Sequence, residues 1–460
     1  MTRTYLPDNS RSFKERWLIA PKLLFFCIGV ITFCMGDSIS RIGGDNWGLS
    51  TYQTFSSVYE FAASVVGSLV FSNRADKRNN FRTILAVCVI GLFFTVMEFG
   101  PNQMPSYQGP LPMLYRVFIC FIQFFSAGLY PVTSALVLKI LSSNSKTSYG
   151  CQRMYVPLGH LFVVLLFCAF QHFLQQQPLD FIVHLGILFL FSVVFLGVLF
   201  IFDTKVKSFE ITGQEAGNAE SVEKSNSLYD ESSFYTENFE QLASIDKNES
   251  ISVSPFKKLF ADPKFLILFI GFLIAGINSS YLKISWIYQI RILAGTDFER
   301  YMENEATYIS CVSEALIYCF DEKITQILGN NLMMALGHGL LILRTLSFAF
   351  MNPEDVNTKT FIFNSVSGIP NGLISLSAVH TASELASGAT AQSIFDIPIR
   401  GLAILFAIII FEISWRFQVV SIRTAYISMS ILGAIIIIPI VFLDKIFPRK
   451  LNKKTSPFNQ

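Results

Sequence analysis

Long apolar runs, separated by short polar stretches, occupy most of this chain. A bilayer core of ~30 Å takes about 20 apolar helical residues to cross. Twelve runs approach or meet that length. In the first half they cover roughly 18–38, 53–72, 84–100, 113–138, 155–173 and 182–202; in the second, 265–287, 307–327, 331–350, 361–383, 397–415 and 426–443. The eighth is interrupted by Asp321, Glu322 and Lys323. Between the halves, residues 203–262 are rich in Ser, Glu and Asn and poor in apolar clusters, the composition of a disordered linker. The pattern predicts an all-α integral membrane protein of twelve transmembrane helices. Its parts are an N-terminal segment (1–17), a six-helix bundle (18–202), the linker (203–262), a second six-helix bundle (263–444) and a tail (445–460). No strong internal repeat is visible, and weak similarity between halves is all such an arrangement requires.

Composition agrees. Hydrophobic residues make up 52% of the 460, charged residues 15%, and Phe alone contributes 46. A soluble globule carries roughly 25% charge, so a soluble enzyme, a nucleic-acid binder and a disordered scaffold are excluded. The net charge of +2 says less than its distribution. Lys and Arg gather at the N-terminus, at Arg74, Lys77, Arg78 and Arg82, at Lys139, Lys146 and Arg153, in the linker and in the tail. By the positive-inside rule both termini and the linker are cytoplasmic, in the plasma membrane or an internal organelle membrane. The sequon Asn248-Glu249-Ser250 then lies on the unglycosylated side. The eight cysteines show no CxxC spacing and read as small buried hydrophobes.

After the second run the chain reads Gly67-Ser68-Leu69-Val70-Phe71-Ser72-Asn73-Arg74-Ala75-Asp76-Lys77-Arg78. This resembles the G-x-L-A-D-R-x-G-R-R signature of the major facilitator superfamily, with Asn79-Asn80 near the place of its glycine. The resemblance implies the major facilitator fold, two bundles around a central polar cavity. It also implies that Asp76, Lys77 and Arg78 set a conformational equilibrium, through ion pairs made in one conformer and released in the other. Glu314, the stretch Gln326–Asn331 and Leu340–Arg344 are similar to the lactose permease-like branch, where a span-eight Glu and a span-nine Arg face the cavity. His380–Glu384 and Gly388–Ser393 resemble the approach to span eleven in those relatives. That branch carries a His and a Glu in span ten, and Phe361–Gly368 has neither.

A charge at bilayer depth costs a few kcal/mol or more and is a functional candidate by default. Glu314 and Arg344 lie at matching depths in spans eight and nine, which makes an ion pair feasible. Glu60 in span two, Asp37 in span one and Arg116 in span four form a weaker parallel, with Gln123 and Asn364 as polar cavity residues. His160 reads as a hydrogen-bonded packing residue. Gly368-Ile369-Pro370, Pro131 and Pro157 place helix breaks inside spans. No nucleophile–base triad, metal site or phosphate loop is present, so no enzyme activity and no cofactor is expected. The expected function is secondary transport of a small polar organic solute, sugar- or nucleoside-like, by alternating access with proton coupling. Alternatives of another kind are a non-transporting membrane receptor or assembly factor on the same fold, and a lipid-handling protein, which the intramembrane charges disfavour.

Overall fold

The computed structural model describes residues 19–44, 52–99, 111–141, 149–174, 186–201, 262–294, 296–352, 356–385, 388–415 and 420–446, with the isolated positions 183 and 260. The termini, nearly all of the linker and its sequon lie outside the described residues. The described helices form twelve spans. The first six are Ile19–Gly44, Tyr52–Arg78, Phe81–Phe99, Leu111–Leu141, Tyr149–Leu174 and Gly186–Ile201. The second six begin with span seven, Pro263–Ala294. Span eight starts at Thr296 and continues past a bend at Phe320 to residue 328, and span nine runs from there to Ala349. Spans ten to twelve are Val356–Leu385, Ala389–Trp415 and Ile422–Val441.

Two boundaries differ most from expectation. Span eight begins eleven residues earlier than 307, and span eleven eight residues earlier than 397. Both extensions carry polar residues (Glu299, Glu303 and Glu305 in one, Gln392 and Asp396 in the other) that end an apolar run without ending a helix. The separation of spans eight and nine falls where expected, because Gly329 alone leaves helical geometry, at φ 68° and ψ 169°.

Proline explains the interruptions within spans. Its ring clashes with the carbonyl four residues back and its nitrogen cannot donate. Span four breaks at Gly128 ahead of Pro131, span five at Met154 ahead of Pro157, and span ten at Val366–Ser367 ahead of Pro370. In span eleven Pro398 stands within a π-helical segment, Ile397–Leu402. Such widened turns are rare and cluster at functional sites.

The repeat that the sequence hides is plain in the packing. Span one crosses span five where Gly29 lies against the Val156 carbonyl, and span seven crosses span eleven where Gly276 lies against the Ile399 carbonyl. Spans two and four pair in the first half, as do spans eight and ten in the second. Outward faces stay apolar, with Phe94, Phe200, Ile435 and Ile438 exposed, as suits a protein surrounded by acyl chains. An added Cβ at Gly276 would fall 2.5 Å from the Ile399 oxygen and 2.6 Å from Ala403 Cβ. Gly276→Ala is therefore expected to cost about 1–3 kcal/mol and to lower the thermal midpoint by several degrees. Gly197→Ala, where an added Cβ meets nothing within 4 Å, is expected to leave the midpoint unchanged or raised.

Candidate functional site

The two bundles meet along two related seams, span two against span eleven and span five against span eight. Each seam ends in the same device. In the first, Asp76 accepts from the Ala389 N–H at 2.9 Å, the Thr390 N–H at 2.8 Å and the Thr390 hydroxyl at 2.6 Å. These groups open span eleven, so a carboxylate meets unpaired N–H donors and the positive end of a helix dipole. In the second, Asp321 near the end of span eight accepts from the Gly150 N–H at 2.9 Å, at the start of span five. His380 of span ten holds the other Asp321 oxygen at 2.8 Å, and Thr325 donates to the same oxygen at 3.2 Å. Ser72 hydrogen-bonds Ser393 along the first seam, and Cys151 Sγ lies 3.6 Å from the Cys319 carbonyl oxygen along the second.

Ion pairs within the turn were expected from Asp76, Lys77 and Arg78; the structure corrects that detail. Asp76 faces the other bundle, whereas Lys77 and Arg78 are exposed. Successive helical residues point about 100° apart, so three neighbours cannot share one partner. The turn itself accounts for the departure from the signature. Asn79 takes the left-handed conformation, φ 48°, at the end of span two. Asn80 N–H bonds the Ala75 carbonyl and Asn79 N–H the Asp76 carbonyl, the hydrogen bonds of a Schellman cap. Asn is the residue that replaces Gly there most readily.

Above the seams, between the bundles, lies a narrow cavity. Arg153 of span five enters it from the first half and Asp396 of span eleven from the second, with Tyr130, Ser134, Ser375 and Gln392 on the walls. Arg153 is 6% exposed. Its guanidinium carbon stands 5.5 Å from the centroid of the Tyr318 ring and 6.0 Å from that of Tyr149, within cation–π range. One Nη donates to the Tyr149 hydroxyl at 3.4 Å, and that hydroxyl donates to Ser134 at 2.8 Å. The Asp396 carboxylate acts on the Arg153 guanidinium through its charge. Tyr318 carries the chain of polar groups deeper, donating to Glu314 Oε1 at 2.8 Å.

Glu314 therefore belongs to a continuous polar path through Tyr318 to Arg153. Arg344 does not. Both stand fifteen residues from Gly329, about 22 Å at the helical rise, so their depths agree as expected. Their directions differ: Glu314 lies against span ten at Gly372 and bonds Tyr318, while Arg344 donates to Asn364 Oδ1 at 2.7 Å inside the second bundle. The expected Glu314–Arg344 ion pair is replaced by these two separate contacts. Gln123 is half-buried in span four, and no described side-chain contact ties it to the cavity. The backbones of Asp37, Glu60 and Arg116 are helical, but their side chains lie outside the described residues. His160 Nε2 meets Thr32 Oγ1 at 3.2 Å, a contact between spans five and one. No group of three His, Cys, Asp or Glu side chains is placed to hold a metal ion among the described residues.

Three of the residues with the most to say were not singled out as candidates by the sequence. Arg153 counted as one more cation in a cytoplasmic loop, Asp396 fell just before an apolar run, and Asp321 read as an interruption. Their common signal was a charge within two turns of the edge of a run, where hydropathy alone cannot say which way it faces.

A model of the MFS_1 like family matches residues 55–405, about three quarters of the chain, from span two into span eleven. The chain belongs to the MFS_1 like family. Its fold is that of the major facilitator transporters. The crystal structure of nucleoside transporter NupG superposes with a TM-score of 0.57 at 14% identity, covering 94% of this chain and 99% of that one. A point variant of NupG gives 0.58 at 14% identity, covering 92% and 98%. No curated protein matches. As a member of this family the chain is a multi-pass membrane protein, with the two bundles and the cavity between them that the fold supplies.

Proposed function

We propose that this MFS_1 like protein moves a small polar solute of nucleoside-like size and chemistry, and that proton binding at Glu314 drives its accumulation. The observation that carries the reading is the placement of Arg153 and Asp396. A cation from one bundle and an acid from the other line a single cavity, and the Asp396 charge acts on the Arg153 guanidinium across it. A solute that accepts hydrogen bonds from Arg153 and donates to Asp396 would bridge the halves, and Tyr130 on the cavity wall suits a planar ring. A ligand that ties the two bundles together favours the occluded state over either open one, which alternating access requires. The nucleoside named in the NupG structures supports the choice of solute class.

Glu314 is suited to proton coupling because Tyr318 links it to Arg153, so its charge bears on the cavity from a separate position. We place the end bearing Asp76 and Asp321 in the cytoplasm, following the distribution of Lys and Arg. The seams closed at that end then make this the cytoplasm-closed conformer.

The test is uptake of labelled uridine and adenosine into proteoliposomes, with and without an imposed proton gradient. Wild type is expected to accumulate one of them against its gradient. Glu314→Gln is expected to lose gradient-driven accumulation while retaining exchange of solute across the membrane. Accumulation by Glu314→Gln at the wild-type level would remove Glu314 from the coupling step. Absence of uptake by folded, inserted wild type would remove nucleosides from the reading.

A further inference from the structure

Arg344 carries a full charge into the second bundle, since a guanidinium does not lose its proton in a protein. It is 7% exposed. Its contacts are few: one Nη bonds Asn364 Oδ1 at 2.7 Å, and Tyr426 of span twelve stands nearby. The Tyr426 hydroxyl is turned to Ser285 at 2.7 Å, and the neighbouring Thr345 bonds Asn278 at 2.7 Å. No carboxylate is among the partners of Arg344 within the described residues. Its Nε has no hydrogen-bond partner, and neither has Nδ2 of Asn364.

These two hydrogen-bonded, buried side chains, one of them cationic, thus each keep an unused donor, with no counter-charge among the described residues. An isolated buried charge is among the most costly features a fold can hold. A water molecule would satisfy the hydrogen bonds and leave the charge uncompensated. A cation is repelled. The complement is an anion with acceptor atoms on its surface.

We propose that Arg344 and Asn364 form a binding site for a monovalent anion, either a halide or the carboxylate of a small organic molecule. The site is built from spans nine and ten, with span twelve beside it. It is distinct from the Arg153 cavity, and it stands whether or not the solute there is a nucleoside. An anion held at Arg344 by two spans of the same bundle would stiffen that bundle as a unit, the part that rocks against its partner.

The experiment is thermal unfolding of the purified full-length protein in sodium HEPES (a bulky sulfonate, neither halide nor carboxylate), sodium chloride or sodium acetate at equal ionic strength. Chloride, acetate or both are expected to raise the midpoint saturably, by about 5 °C at concentrations far above the dissociation constant. A response to chloride alone identifies a halide site, and a response to acetate alone identifies a carboxylate site. Arg344→Gln is expected to abolish the response. Asn364→Asp places a carboxylate against the guanidinium, and is expected to be as stable in HEPES as wild type with the responding anion, with no further gain from either anion. That variant keeps the test open should Arg344→Gln fail to fold. Equal midpoints for wild type in all three salts would overturn the proposal and leave the counter-charge to another conformer of Glu314. So would a wild-type anion response in Asn364→Asp.

Discussion

Arg153→Gln is expected to reduce solute uptake by about 100-fold or more while leaving a folded, correctly inserted protein. Arg153 reaches the cavity from span five, its charge stacked between the Tyr149 and Tyr318 rings and hydrogen-bonded to Tyr149. Gln preserves some hydrogen bonding and removes the charge, so Asp396 would face the solute without an opposite charge across the cavity. Truncating one side of a buried, hydrogen-bonded charge site typically costs about 2–5 kcal/mol of binding. Arg153→Lys is expected to recover only part of the loss, because an ammonium lacks the planar fork that stacks between two rings. Uptake kinetics over a range of solute concentration would locate the effect. Wild-type rates in folded Arg153→Gln would move the binding site away from this cavity.

The second large effect belongs to the two seams. Asp76→Ala removes three hydrogen bonds to the start of span eleven, and Asp321→Ala removes the bond to the start of span five. A hydrogen bond to a charged group is worth about 1.5–3 kcal/mol net, so Asp321→Ala is expected to shift the population away from the closed conformer by about 30-fold, and Asp76→Ala, which loses three such bonds, by more. The two seams are separate contacts and their effects should add, to about 1000-fold or more in the double variant. The protein carries its own reporter. Cys151 is half-buried beside the Cys319 carbonyl on the second seam. Its alkylation by a membrane-impermeant maleimide from that side, resolved by peptide mass spectrometry, is expected to speed up in the same proportion. Unchanged alkylation in the double variant would mean that apolar packing, and not the two carboxylates, holds the bundles together. Asp76 is the stronger of the two, with three donors against one across the seam.

These two devices show how unevenly the site could be read in advance. Asp76 stood inside a signature motif and was singled out from it. What it binds was not legible, because its partners Ala389 and Thr390 lie more than 300 residues further on. Asp321 performs the matching task in the second half without a motif around it, and looked like a flaw in an apolar run. The equal distances of Glu314 and Arg344 from Gly329 were legible, since such a distance is a count of residues along a helix. Their pairing failed because direction around the helix axis is a second coordinate, fixed by what each helix packs against.

The order of apolar runs and polar breaks by itself determined the twelve spans, the two halves and the membrane setting, because spanning a bilayer is a local requirement on about 20 consecutive residues. The same local chemistry located the interruptions ahead of Pro131, Pro157 and Pro370. Only the tertiary structure decided which charges meet: Asp76 with span eleven, Asp321 with span five, Arg153 with Tyr318 across the bundles, and Arg344 with Asn364 instead of Glu314. A side chain's partner depends on the rotation and tilt of its whole helix. Those follow from contacts such as Gly29 on Val156 and Gly276 on Ile399, made between segments far apart in the chain and set by the packing of all twelve spans at once.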